Sequence, residues 1–214
     1  MATFGSLQTS VSKRLLDANN TAVSALDVAA ALNDTIRHWK FTRFWFNEDV
    51  STQTMTLQDG VIPLPSDFLV PATDDGGFVV SYSDQRYPLV KESQLSYDGH
   101  LLDNGYGLPR TYARTGGSYE CYPLPDREYT VLVRYLKDYT TIEQSNANAT
   151  NDFTDNAERL LILWTCANLI AELRQDQKME GYYRTAALAE VSNLKLMTRK
   201  SNASGKLTLD SSLI

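Results

Sequence analysis

Catalysis needs a nucleophile, an acid–base group or a metal ligand in the right company, and this chain holds few residues of those types. It has two cysteines, Cys121 and Cys166, and two histidines, His38 and His100. A thiol nucleophile would need one of those imidazoles beside it and surroundings that favour the thiolate. Cys166 lies in the most apolar stretch, residues 160–170, and Cys121 alternates with Tyr119 in an extended run. Both therefore read as free, buried thiols. A zinc site wants three or four ligands at short spacing, whereas these cysteines stand 45 positions apart with no CxxC pair. Residues 98–103, from Asp98 to Asp103, superficially resemble a calcium loop. They lack its alternating carboxylate spacing and distal Glu, so they read as a solvated loop. Asp74-Asp75 before Gly76-Gly77 reads as a turn. No GxSxG, GxxxxGK[ST] or strand-borne GxGxxG occurs, and no pair of carboxylates is singled out for glycoside hydrolysis. No catalytic, cofactor-binding or metal-binding residue is expected.

One cluster is aromatic. Trp39, Phe41, Phe44, Trp45 and Phe46 interleave with Arg37, Lys40 and Arg43, a pattern that could stack a ligand's rings between cations. The same large side chains stand where a helix gives way to strands. Trp39, Phe44, Trp45 and Phe46 are accordingly read as the core of that helix-to-β junction.

The elements that would hold these residues follow from composition and periodicity. The chain has 214 residues, 43% of them hydrophobic, which suffices for one ordinary core or a body with a smaller subdomain. Acidic residues outnumber basic ones, 26 to 20, for a formal charge of -6. That balance argues against a chain-wide electrostatic grip on nucleic acid. Residues 1–10 carry no basic and apolar leader pattern, and no apolar run reaches membrane-spanning length, so a soluble protein made in the cytosol is expected.

A short helix is expected over 11–17. Ser24-x-x-Asp27 signals a second, over 24–40, with Ala25, Ala29, Leu32, Ile36 and Trp39 on one face. From 52 to 139 short extended runs alternate with Gly, Pro and Asp. The clearest hairpin joins 110–115 to 118–122 through Gly116-Gly117, and Tyr129, Val131, Val133 and Tyr135 alternate along a later strand. Met55 and Leu57 alternate before a turn at Asp59-Gly60. Residues 140–152 are polar and read as a loop. Thr154 is placed to cap a helix over 155–176 that buries Trp164 between helices, and a break near 177–181 precedes a last helix over 179–198. The fold class is α+β: a helical bundle from the N- and C-terminal helices with an inserted antiparallel β subdomain. The divisions are 1–50 and 141–200 for the bundle, 51–140 for the insertion and 201–214 for an extended tail.

The order of short motifs resembles one family. Arg43-Phe44-Trp45-Phe46-Asn47-Glu48 follows the long helix, then Thr54-Met55-Thr56-Leu57, Gly60 and Pro63-Leu64-Pro65-Ser66-Asp67-Phe68. Gly107-Leu108-Pro109, Tyr112-Ala113 and Tyr122-Pro123-Leu124-Pro125-Asp126 come next, with Tyr129 and Tyr135, and finally Asn151-Asp152-Phe153. Over residues 22–198 this series is similar to the head-to-tail adaptors of tailed phages, with Phe44-Trp45 where a doubled Trp is common. The resemblance implies a structural virion protein and no enzyme: a homo-oligomeric ring, a dodecamer, at the neck of the particle. Its partners would be the portal protein and tail or nozzle proteins. DNA would pass through the ring without specific binding, and no membrane or cofactor would be involved. Leu207, Leu209, Leu213 and Ile214 in the tail are expected to contact the portal or a neighbouring subunit, since no helix there can bury them. A tail-tube, neck or baseplate subunit is the nearest rival reading. A carbohydrate-binding module using exposed Tyr and Trp with Asp98–Asp103 is a rival of another class, and an enzyme comes third.

Overall fold

A computed structural model describes residues 2–15, 23–73, 76–101, 105–174 and 176–202. The chain divides into two compact units, one from Met1–Asn47 and Tyr139–Ile214, the other Glu48–Asp138. The mixed α+β class is as expected, with helices at both ends of the sequence and strands between.

In the helical unit, α1 spans Phe4–Arg14 and α2 spans Ala25–Trp39. Helix α1 lies earlier than the expected 11–17, because Thr3 and Ser6 form a reciprocal cap and Phe4, Leu7 and Val11 share its buried face. Ser24 and Asp27 cap α2 in the same reciprocal way, and Val28, Ala29, Leu32, Ile36 and Trp39 are buried. The single helix expected over 155–176 is instead a series of pieces. Its cap is Asn151 and not Thr154: the Asn151 side chain accepts from the Thr154 N–H at 2.9 Å while Thr154 Oγ1 accepts from the Asn151 N–H at 2.8 Å. Helix α4, Asp152–Asn156, ends at the non-helical Ala157. Helix α5, Glu158–Leu169, then runs into a π-turn, Ile170–Arg174.

Every residue of α5 from Leu160 to Ala167 is buried, as suits a helix with α1, α2, α4 and α6 packed around it. Helix α6, Gln177–Asn202, is longer than the expected 179–198. Its start is fixed by Asp176, whose carboxylate accepts from the N–H groups of Lys178 and Met179, both at 3.1 Å. Gly181 therefore lies inside the helix, where a side chain would meet only open space, and does not break it. Tyr183, Ala187, Val191 and Leu194 face the core as anticipated.

The polar stretch 140–151 is irregular, yet it is held. Asn33 of α2 donates to the Ile142 carbonyl at 2.9 Å and accepts from its N–H at 3.0 Å. The Gly5 N–H donates to Ala147 O at 2.8 Å, and a Cβ on Gly5 would stand 2.8 Å from the Ala147 methyl, an approach that only glycine permits.

In the second unit the elements are β1 Glu48–Met55, β2 Phe68–Pro71, β3 Phe78–Tyr82, β4 Gln85–Pro88, β5 Val90–Lys91, α3 Gln94–Leu101, β6 Tyr106–Gly107, β7 Thr111–Thr115, β8 Ser118–Tyr122, β9 Leu124–Pro125 and β10 Tyr129–Lys137. The main sheet runs β1-β10-β3-β4, with β2 also on β10, and all its pairings are antiparallel. Strand β10 is its spine, and Tyr129, Val131, Val133 and Tyr135 are buried along one face. Strand β1 starts before the expected residue 52 and ends at Met55. Leu57 lies outside it and is 54% exposed, because the chain turns at Gln58, whose φ is 60°.

The hairpin β7–β8 forms as the glycine pair suggests, with positive φ at Gly116 alone. Two short pairings, β5 with β7 and β6 with β9, are parallel, so the insertion is not wholly antiparallel. The segment around Asp98 is helical and not the open loop expected, because Tyr97 must reach the core, where it is 1% exposed. Asp74, Asp75 and Asp103 lie outside the described residues.

Candidate functional site

The groups with chemical potential are locked into structure. Cys121 of β8 and Cys166 of α5 are free and wholly buried. Burial pushes both thiols up to about 12, and around Cys121 the carboxylates of Asp59 and Glu120 oppose the thiolate further. His38 stacks on Trp164 at 5.1 Å and meets Trp39 edge-on at 4.9 Å. His100 stacks on Tyr122 at 4.8 Å and places Nε2 3.2 Å from Glu92. Among the described residues no group of three or more His, Cys, Asp or Glu is placed to hold a metal.

A test of these thiols follows. A disulfide exchange reagent at pH 8 should label neither cysteine in the native protein and both in denaturant. Their raised values also mean that the stability they contribute is complete below pH 9, the ordinary thiol value, and is lost as pH rises toward about 12. Labelling of the folded protein as fast as that of the unfolded chain would contradict this placement.

The motif residues prove to be fasteners. Phe44 and Phe46 stack at 5.3 Å and both meet Phe153 edge-on, at 6.2 and 5.2 Å; Tyr139 closes on the same ring at 5.1 Å. The Trp45 ring meets Phe46 edge-on at 5.0 Å and its main-chain N–H donates to Thr198 Oγ1 of α6 at 3.1 Å. Trp39 meets Trp164 edge-on at 4.9 Å. Trp39, Phe44, Trp45 and Phe46 thus share the helical unit's core, the first, second and fourth buried and Trp45 half-buried against it. Phe41, by contrast, is 58% exposed.

Asn47, which enters the sequence reading only as a motif residue, buckles this bend. Its Oδ1 accepts from the Phe44 N–H at 2.9 Å, and its Nδ2 donates to the carbonyls of Thr42 at 2.9 Å and Lys40 at 3.3 Å. An amide closing an aromatic run is the only trace of this in the sequence. Equally hidden is a buried hydroxyl pair, Thr35 with Thr165 at 2.9 Å, that ties α2 to α5.

In the second unit two motif carboxylates latch onto tyrosines of β10. Asp67 accepts from the Tyr135 hydroxyl at 2.8 Å and Asp126 from the Tyr129 hydroxyl at 2.6 Å. Burial first, and the carboxylate partner second, push Tyr129 up to about 12 and raise Tyr135 as well. Asp126 is drawn down by the Tyr129 and Arg127 hydrogen bonds. These residues secure turns to the sheet's spine. The tail residues Leu207, Leu209, Leu213 and Ile214 lie outside the described residues.

A family model matches the chain: SU10 adaptor protein, over residues 2–209. The chain belongs to the SU10 adaptor protein family. The match covers almost the whole adaptor, including α1 and the first part of the tail, both of which fall outside the 22–198 of the motif resemblance. It makes the chain a structural protein of the phage adaptor class. Comparison with curated proteins finds no match. No helix of this adaptor, among the described residues, is long and apolar enough to cross a membrane.

Proposed function

We propose that this chain is one subunit of a ring, twelvefold in the virion, that joins the portal to the tail or nozzle proteins at the neck of a tailed phage. It turns over no substrate. The observation that carries this reading is the adaptor-family match, which runs through both compact units. Each unit also has an independent core, the helical one around α5 and the β one around β10. Two compact units, each with its own core, suit a part that must meet more than one neighbour. The formal charge of -6 suits a wall around passing DNA, because like charge discourages the polyanion from sticking within the roughly 8 Å that salt leaves unscreened.

In this reading the tail, with Leu207, Leu209, Leu213 and Ile214, docks on the portal or on the adjacent subunit, and several tails acting together turn weak contacts into firm attachment. The experiment mixes purified portal with the full chain and, separately, with a chain ending at Asn202. Light scattering and electron microscopy should show the full chain adding as a ring, with attachment of the shortened chain weaker by about tenfold or more. Failure of the full chain to join the portal would overturn the adaptor-ring reading. Equal attachment of both chains would remove the tail from it.

A further inference from the structure

Where α2 meets the end of α5 and the π-turn beyond it, the helical unit carries a groove of about 160 Å³. Its lining includes Ala31 and Leu169, with Leu173 50% exposed, and the carboxylates Asp27, Asp34 and Glu172. The π-turn matters here: its wider i to i+5 winding re-aims Glu172 and Leu173 relative to the register of α5. Arg37 pairs with Asp34 at 2.8 Å, which leaves the rim net acidic. Apolar and carboxylate side chains lining one groove fit an apolar side chain carried beside cations.

The same unit carries that counterpart on α6. Leu196 is 50% exposed, and Arg199 and Lys200 follow it at three and four positions, on the same helical face. No chain can serve itself in this way. The groove adjoins the start of α6, and the twenty or so residues from there to Leu196 span roughly 30 Å of helix. The occupant must come from another copy.

We infer that the α6 end of one copy, Leu196 with Arg199 and Lys200, docks in the acidic groove of the next. The inference rests on the ring reading above and names the two faces that meet. Because the faces differ, the joint is head-to-tail, the kind that repeats around an axis and closes when the rotation allows.

The test uses the full chain in two charge-reversed forms, one with Asp34→Lys and Glu172→Lys, the other with Arg199→Glu and Lys200→Glu. Thermal melts first establish that both remain folded. Self-association is followed by sedimentation at low salt, and ring formation on purified portal by electron microscopy. Each form alone should associate at least about tenfold more weakly than the unaltered chain. An equimolar mixture of the two should regain association, because each altered groove then faces an oppositely charged helix end. If the unaltered chain associates and the altered forms do so equally well, or the mixture stays apart, the docking is wrong although the ring stands. Loss of portal attachment in the groove form alone would assign the groove to the portal and likewise overturn it. If the unaltered chain associates neither alone nor on the portal, the ring reading itself fails.

Discussion

Replacing Trp164 with Ala should cost the fold about 3–5 kcal/mol, the range for emptying a buried aromatic site. The α5 indole is only 9% exposed and sits between two other helices: Trp39 meets it edge-on and His38 lies flat against it from α2, while the Arg184 guanidinium of α6 covers its ring at 4.9 Å. Alanine would leave a void next to helices already fixed by other contacts, so collapse cannot fill it. Urea unfolding followed by circular dichroism reads the loss as a lower midpoint at unchanged slope. The two partners differ in what they predict. His38 is exposed, so its removal should cost far less than removal of the indole it leans on. A loss below 1 kcal/mol for Trp164→Ala would mean that the helices are not packed as described.

The second large effect is expected at Asn47. Asn47→Ala removes one acceptor and two donors from a wholly buried side chain, and three main-chain groups of the bend lose their partner at once. At about 1–3 kcal/mol for each polar group left buried and unmatched, discounted for those that water can reach, a total of about 2–4 kcal/mol follows. The stacked Phe44 and Phe46 rings depend on that bend, so their contact with Phe153 should loosen as well. Unfolding midpoints measure the first consequence and the near-ultraviolet signal of the aromatic cluster the second. An alanine variant as stable as the parent would show that the amide fastens nothing.

Legibility in the sequence followed the range of the forces involved. Helix α2 could be read to within a residue at each end, because Ser24, Asp27 and the apolar face at three- and four-residue steps are local facts, although Val28 is buried where Ala25 was expected. The β7–β8 hairpin was legible for the same reason, with a glycine pair between two alternating runs. Helix α5 was visible as an apolar block, but the short α4 before it was not, because its cap Asn151 falls within the polar loop and Thr154 is its reciprocal partner. Helix α6 starts two residues before the expected 179, because the preference of Gly181 against helix is overridden once Asp176 satisfies the first amides. What sequence could not supply was anything settled across distance: the Thr35–Thr165 hydroxyl pair, the three bonds of Asn47, the burial of Tyr97 that turns a supposed loop into a helix, and the parallel pairings of β5 and β6. The groove beside the π-turn belongs to the same class, since its lining comes from segments more than a hundred positions apart.

Strand β1 opens the second unit and strand β10 closes it, and the two are hydrogen-bonded neighbours, with Glu48 opposite Leu136. Residues paired in this way have α-carbons about 5 Å apart. The ninety or so residues between them are therefore a cassette whose two ends leave from nearly one point. A host fold that gives up a loop at one point, and receives it back at the same point, need not change its own packing whatever the cassette contains. For an adaptor built of two compact units, this wiring means that the sequence of the cassette can change, or the cassette be exchanged whole, with only its two paired ends needing to match the host.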